Sequence, residues 1–223
     1  NDMDNDFRFV KNYYNSLYKG DEYGYSVQFD IWLQKYISYI PKGIALELGV
    51  GTGKNVNFLL ENDFVVEGVD LSNVAIDRLN ESYIDKKCKF WVEDITKIDI
   101  PKQNYSLIIC SMVLSHLSET QILELTQKIK DGLITGGCVY LSTMSKDDPM
   151  NFHSVIDKAI SLDNKKINVA NLKRTFLDKN QIKEYFNDID IIELADIYQK
   201  EPKRITSARY FGVIMYFGKK TKE

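Results

Sequence analysis

The chain has 223 residues, 29 Lys and Arg against 32 Asp and Glu, a formal net charge of −3, and 44% hydrophobic residues. That balance describes one globular domain and excludes a collagenous, low-complexity or globally disordered chain. It also lacks the overall positive charge of a non-specific nucleic-acid or membrane-surface binder. Three cysteines, Cys88, Cys110 and Cys138, are odd in number and have no short spacing. Neither a disulfide framework nor a metal site is therefore expected, and they read as buried thiols. The polar, acidic opening 1–6 reads as neither a signal nor a transit peptide. The apolar runs fall well short of the ~20 residues needed to span a bilayer. The expectation is a soluble, cytoplasmic protein, monomeric or homodimeric. Its 14 Tyr and 11 Phe are crowded toward the N-terminus, and that crowding needs an explanation.

In chain order, 1–43 reads as a helical cap in which Phe29, Trp32, Leu33, Tyr36 and Ile37 form one apolar stripe. Pro41 and Gly43 separate it from a first strand, Ile44–Leu48. Residues 54–62 form a short helix-compatible cluster with Val56, Phe58, Leu59 and Leu60. A second strand covers 64–70, and Ser72 is the N-cap of a helix carrying Val74, Ala75, Ile76 and Leu79. Residues 89–92 are a third strand and 105–110 a fourth, apolar enough to be central. Ile122, Leu123, Leu125 and Ile129 place a helix over 118–130. Gly136 and Gly137 then turn the chain into a fifth strand, 138–142. The stretch 144–174 is polar and poorly periodic and reads as a cover. A short helix over 178–186 precedes two β-rich runs, 189–197 and 208–217, whose short connection fits an antiparallel pair.

Strand and helix alternating at this spacing predict βαβ units and hence an α/β fold with a mostly parallel sheet covered on both faces. The predicted division is a cap at 1–43, a cofactor-binding core at 44–143 and a substrate-side cover with the β pair at 144–223. Ligands of such sheets bind outside the carboxyl ends of the strands, which directs attention to the residues after Leu48, Val69, Val92 and Cys110.

After Leu48 comes Gly49-Val50-Gly51-Thr52-Gly53-Lys54-Asn55. Glycines between a strand and a helix allow a sharp turn and a close ligand approach. The dinucleotide pattern G-x-G-x-x-G is not met, because Lys54 stands at its third glycine. The phosphate-loop pattern fails too, since Gly53-Lys54 is followed by Asn55. Asp70 ends the second strand, where an acid can accept hydrogen bonds from a ribose diol or simply be solvated. Asp94, just after the third strand, can accept from an adenine amino group or cap its own turn.

These residues, with V-D-L-S, V-E-D-I and Y-S-L-I-I-C-S-M-V-L-S-H-L, resemble the ordered motifs of class I S-adenosylmethionine-dependent methyltransferases. The resemblance runs from about Ile44 to Ser142. It implies a Rossmann-like seven-stranded sheet with an antiparallel last strand, with S-adenosylmethionine as cofactor and S-adenosylhomocysteine as product. Glu47 would orient the loop and reach the methionyl amino group. Gly49, Val50 and Gly51 would line methionine and ribose, and Asn55 belongs to the same motif. Asp70 would hold the ribose hydroxyls. Leu71 and Ile95 would flank the adenine, Asp94 would take its amino group, and Cys110, Ser111 and Met112 would pass the sulfonium end.

The N-terminal Tyr13-Tyr14-Asn15-Ser16-Leu17-Tyr18 resembles the opening of small tellurite-resistance and thiopurine-like methyltransferases, where an aromatic segment covers the cofactor. Tyr14 and Tyr25 would then close over donor and acceptor, although the cluster of Tyr13, Tyr14, Tyr18, Tyr23 and Tyr25 also suits plain helix packing. Acceptor-side candidates are Tyr18, His153, Arg209 and Tyr210. His116, in the loop after the fourth strand, is the candidate base, with a structural role as the rival reading. The fourth motif is not Asn/Asp-Pro-Pro-Tyr. Ile109 rather than Pro precedes Cys110, and no RNA-binding module is appended. A small-molecule acceptor, methylated on O, N or S, is expected, with no nucleic-acid and no membrane partner. An NAD(P)-dependent oxidoreductase and a non-catalytic cofactor-binding subunit remain the alternatives.

Overall fold

Runs that are apolar at every position become strands covered on both faces, and the fourth run is the extreme case: Leu107, Ile108, Ile109 and Cys110 are all fully buried. The structure, a computed structural model, describes residues 2–19, 30–84, 86–148, 159–162, 165–168, 174–200 and 210–222. Its helices are α1 (Asp2–Lys19), α2 (Ile31–Tyr36), α3 (Val56–Glu61), α4 (Asn73–Ser82), α5 (Glu119–Gly132) and α6 (Lys179–Tyr185). Its strands are β1 (Ile44–Leu48), β2 (Val65–Asp70), β3 (Cys88–Val92), β4 (Tyr105–Ser111), β5 (Leu133–Met144), β6 (Ala159–Leu162), β7 (Lys165–Asn168), β8 (Asp190–Lys200) and β9 (Tyr210–Lys219). Among the described residues no helix is long and apolar enough to cross a membrane.

Seven strands form one sheet in the order β3-β2-β1-β4-β5-β9-β8. The pairs among β1 to β5 are parallel, and β9 runs antiparallel to both β5 and β8. Strand order reverses between β1 and β4, which opens the crevice where such sheets take ligands. The alternation of side chains splits the core into two layers. Leu46, Leu48, Ile108, Cys110, Val139, Leu141, Ile214 and Tyr216 pack with Ile122, Leu125 and Ile129 of α5 and Ile182 of α6. On the other face Ala45, Leu107, Ile109, Tyr140 and Phe217 pack with Trp32, Leu33 and Tyr36 of α2 and Val56 and Leu59 of α3. Glu47 shares the parity of Ala45, so it lies on the face that α2 and α3 cover.

Helix starts follow their caps. The Ser72 hydroxyl accepts from Ala75 N at 3.2 Å. Ser118 with Gln121, and Asp178 with Gln181, form reciprocal capping boxes at α5 and α6. Of the expected stripe, Trp32, Leu33 and Tyr36 are buried and Ile37 half-buried, while Phe29 lies outside the described residues.

Two differences from the sequence reading have local causes. The fifth strand begins at Leu133 rather than after the glycines. A register shift against Tyr105 and Leu107 absorbs an irregular stretch there. Gly136 and Gly137 stay in the strand because they hydrogen-bond Lys220, at 2.6 Å and 2.9 Å. Within the stretch read as an irregular cover, β6 and β7 pair antiparallel.

Candidate active site

The β1–α3 loop is shaped by its backbone. Gly49, Gly51 and Gly53 have φ of 74°, 53° and 75°, a region that side chains disfavour. The N–H groups of Gly49 and Val50 both donate to Val69 O at 2.8 Å, folding the loop onto the end of β2. A Cβ on Gly49 would meet Val113 Cγ2 at 2.4 Å, and one on Gly51 would meet the Tyr18 hydroxyl at 2.8 Å. The loop is thus closed in by the segment after β4 on one side and by α1 on the other.

Asp70 stands at the end of β2, 8% exposed. Its Oδ2 accepts from Gly51 N at 2.9 Å and its Oδ1 from Ser72 N at 2.8 Å. Burial raises its pKa, and the N–H groups of Ser72, Gly51 and Leu71 act against that rise. Each carboxylate oxygen retains acceptor capacity for a ligand hydroxyl.

Glu47 is 2% exposed on β1. Its Oε1 accepts from Asn55 Nδ2 at 2.9 Å, while its Oε2 is buried with no partner. Burial, and then the nearby Asp30 carboxylate, push its pKa up to about 8 against the opposing pull of Lys54 and Asn55. Asn55 is fully buried and belongs to a second layer behind Glu47. Its Nδ2 also donates to Asp30 Oδ2 at 3.1 Å, and its Oδ1 accepts from Asp30 N at 2.9 Å. Lys54, which replaces the dinucleotide glycine, pairs with Asp30 Oδ1 at 2.9 Å. Asp30 is a residue that sequence reading missed, because only the fold brings it to the loop.

After β3, Asp94 caps its own turn: its Oδ1 accepts from Thr96 N at 3.0 Å and Thr96 Oγ1 at 2.7 Å. Its Oδ2 faces Lys97 at 3.7 Å. Ile95 is buried against the core, and Leu71 is half-buried. After β4, Ser111 Oγ lies 3.0 Å from Ser142 Oγ, and Met112 takes φ 58° while its N–H donates to Ser142 O at 2.8 Å. Cys110 is fully buried, and burial pushes its thiol up to about 12, so it is no thiolate nucleophile near neutrality.

His116 closes a single turn of 3-10 helix, Leu114–His116. Its Nε2 lies 2.8 Å from Tyr14 Oη and 3.3 Å from Arg174 Nη1. A guanidinium only donates, so Nε2 is the acceptor, Nδ1 carries the proton, and the Tyr14 hydroxyl donates. Burial, then the Arg174 charge, push the His116 pKa down to about 3. The Tyr14 ring stacks on Tyr18 at 5.9 Å and meets His116 edge-on at 5.4 Å. Asn15 fixes the same helix to the start of α4, accepting from Ser72 Oγ at 2.5 Å and donating to Asn73 Oδ1 at 3.1 Å. Tyr14, Tyr18 and His116, far apart in sequence, therefore meet at one end of the sheet beside the glycine loop. Arg174, which sequence reading also missed, is held there by an extended segment whose Thr175 N donates to Ser115 O at 2.8 Å. Of the other candidates, Tyr23, Tyr25, His153 and Arg209 lie outside the described residues. Tyr210 opens β9, and its side chain lies outside them too.

The donor set suits a cofactor with a cationic amino acid end and a ribose. A buried, unpaired carboxylate oxygen on Glu47 calls for a cation, and Asp70 offers acceptors beside a loop with little side-chain bulk. Comparison with known proteins agrees. Residues 45–137 match a family model described as a methyltransferase domain. No curated protein matches the chain. Among solved structures, TehB from Haemophilus influenzae superposes with TM-score 0.68 at 18% identity, over 86% of this chain and 62% of that one. The chain thus spans less than two thirds of that protein. An S-adenosylmethionine-dependent methyltransferase from Anabaena variabilis gives TM-score 0.69 at 15% identity, over 96% of this chain and 94% of that one. One from Mesorhizobium loti gives 0.63 at 13% identity, over 87% and 100%. At these identities the likeness is one of fold.

Proposed function

We propose that this chain, a class I S-adenosylmethionine-dependent methyltransferase by its matched domain and fold, methylates an O, N or S atom of a small-molecule acceptor. The bound cofactor supplies an activated sulfonium methyl, so the protein needs chiefly to hold, align and exclude water. One observation carries the reading: the buried Glu47 Oε2 has no partner. An ammonium group would pair with it, and Asn55, itself held by Asp30, donates to the other oxygen from behind.

Around that anchor the remaining residues take the roles that the motif resemblance implies. Asp70 accepts the ribose hydroxyls with the acceptor capacity left by Gly51 and Ser72. Gly49, Val50 and Gly51 line the methionine and ribose, Leu71 and Ile95 flank the adenine, and Asp94 takes its amino group with the oxygen that Thr96 leaves free. Cys110, Ser111 and Met112 border the sulfonium end. Tyr14 on α1 and Tyr25 close over donor and acceptor, with Tyr18, His153, Arg209 and Tyr210 proposed on the acceptor side. The working division is cap 1–43, core 44–143 and cover 144–223. The mildly acidic charge favours a small metabolite over a nucleic acid. His116 is already neutral and oriented, but a basic role requires that Nε2 be released from Arg174 and Tyr14.

A screen of small phenols, amines and thiols tests the reading. Incubation with S-adenosylmethionine should yield S-adenosylhomocysteine with at least one acceptor, and His116→Ala should lower that turnover. No product from any acceptor, with stabilisation by NADH and none by S-adenosylhomocysteine, would favour an oxidoreductase instead.

A further inference from the structure

The corner around His116 holds more buried donors than acceptors. Ser115 Oγ, His116 Nδ1 and Arg174 Nε are all buried without a hydrogen-bond partner. With Nε2 fixed as an acceptor, His116 Nδ1 and Arg174 Nε are both N–H donors, and Ser115 offers an O–H. Arg174 has no carboxylate partner among the described residues; its hydrogen bond there is the one to His116 through Nη1. That contact uses one end of the guanidinium and leaves the Nε/Nη2 edge, the side-on fork that matches the two oxygens of a carboxylate. A buried Arg174 Nε beside two other unsatisfied donors is costly unless a ligand supplies the missing acceptors.

We propose that Arg174, with Ser115, forms the anion subsite of the acceptor pocket, and that the acceptor carries a carboxylate. One guanidinium balances one unit of negative charge, which suits a carboxylate better than a phosphate dianion. The location fits, because Val113, two residues before Ser115, packs against Gly49 of the cofactor loop. Tyr14 closes the corner from α1, so the acceptor enters with α1 displaced and is covered when it returns. Binding of the anion also neutralises the charge that opposes protonation of His116. The substrate itself thereby makes His116 a better proton acceptor. The assignment rests on the methyltransferase reading and names the substrate class of that site.

The test uses the protein saturated with S-adenosylhomocysteine and titrated calorimetrically with 4-hydroxybenzoate, anthranilate and thiosalicylate, each against its neutral carboxamide. At least one carboxylate should bind, and more tightly than its amide by about tenfold or more. Arg174→Gln should abolish that preference, and Arg174→Lys, which keeps the charge but not the fork, should retain part of it. Equal binding of acid and amide, an undiminished preference in Arg174→Gln, or no carboxylate binding at all would overturn the subsite. Failure of S-adenosylhomocysteine itself to bind would instead remove the methyltransferase reading beneath it.

Discussion

A carboxyl group as buried as Glu47, with burial and Asp30 holding its pKa near about 8, is mostly protonated at neutral pH. An ammonium arriving at Oε2 favours the carboxylate, so cofactor binding must drive the proton off. Titration with S-adenosylhomocysteine near neutrality should therefore release about one proton per molecule bound. Calorimetry in buffers of different ionisation enthalpy reads this directly. Well above the shifted pKa the release should vanish, and Glu47→Gln should bind more weakly and release nothing. The sign for stability follows from the same shift. The folded pKa lies above the ordinary 4.5, so the free protein holds a proton that the unfolded chain has lost between those values. Stability of the free protein then falls as pH rises through that window, and bound cofactor removes the slope. Equal proton release by wild type and Glu47→Gln would assign the proton elsewhere.

At the scale of elements, polar links from Tyr14 and Asn15 tie α1 to the rest of the site. Tyr14 reaches His116, and Asn15 bridges Ser72 and Asn73. Ser72 serves three contacts at once: it caps α4, donates its N–H to Asp70, and donates its hydroxyl to Asn15. Helix α1 is thereby coupled to Asp70. Removing the tethers with Tyr14→Phe and Asn15→Ala should free the helix. Amide exchange across Asp2–Lys19 should speed up by about a hundredfold, from three hydrogen bonds of about 1 kcal/mol each. Exchange in β4 and β5 should not change. Unaltered exchange in Asp2–Lys19 would mean that apolar packing alone holds the helix.

The same elements show what the chain reveals about itself. β4 is legible because burial on both faces leaves an uninterrupted apolar run, and β1, β2, β3 and the closing pair because they are short β-rich runs bounded by turn residues. α4, α5 and α6 are legible because Ser72, Ser118 and Asp178 announce their starts. The glycine loop and Asp70 are legible because they lie next to strand ends. Residues such as Asp30, Asn15 and Arg174 are not, since nothing local marks them and only the folded sheet brings them to Lys54, Ser72 and His116. The start of β5 is hidden for a related reason. Gly136 and Gly137 read as a turn locally, and a partner at Lys220, near the other end of the chain, keeps them in the strand. His116 shows the intermediate case. Its position is predicted by the strand before it, whereas its tautomer comes from Tyr14 and Arg174 and its low affinity for a proton from burial and then the Arg174 charge.

For the whole molecule, the sheet's two covered faces leave its carboxyl-terminal edge for chemistry. Glu47, Asp70 and Ser111, near the carboxyl ends of β1, β2 and β4, and His116, just after β4, lie along that edge. The tyrosines crowded at the N-terminus gain a role there: at least Tyr14 and Tyr18 lie over that edge rather than in the core layers. Small displacements of α1 would admit or trap ligands while the sheet stays rigid, so binding and covering are separable steps. The central claim is that S-adenosylmethionine sits at the glycine loop between Glu47 and Asp70. Calorimetric titration of wild type and Asp70→Ala with S-adenosylhomocysteine tests it most directly. The account predicts one-to-one binding to wild type and a loss of about a hundredfold or more in the variant, from charge-assisted hydrogen bonds to the ribose. Equal affinities for the two proteins, or no binding to wild type, would contradict it.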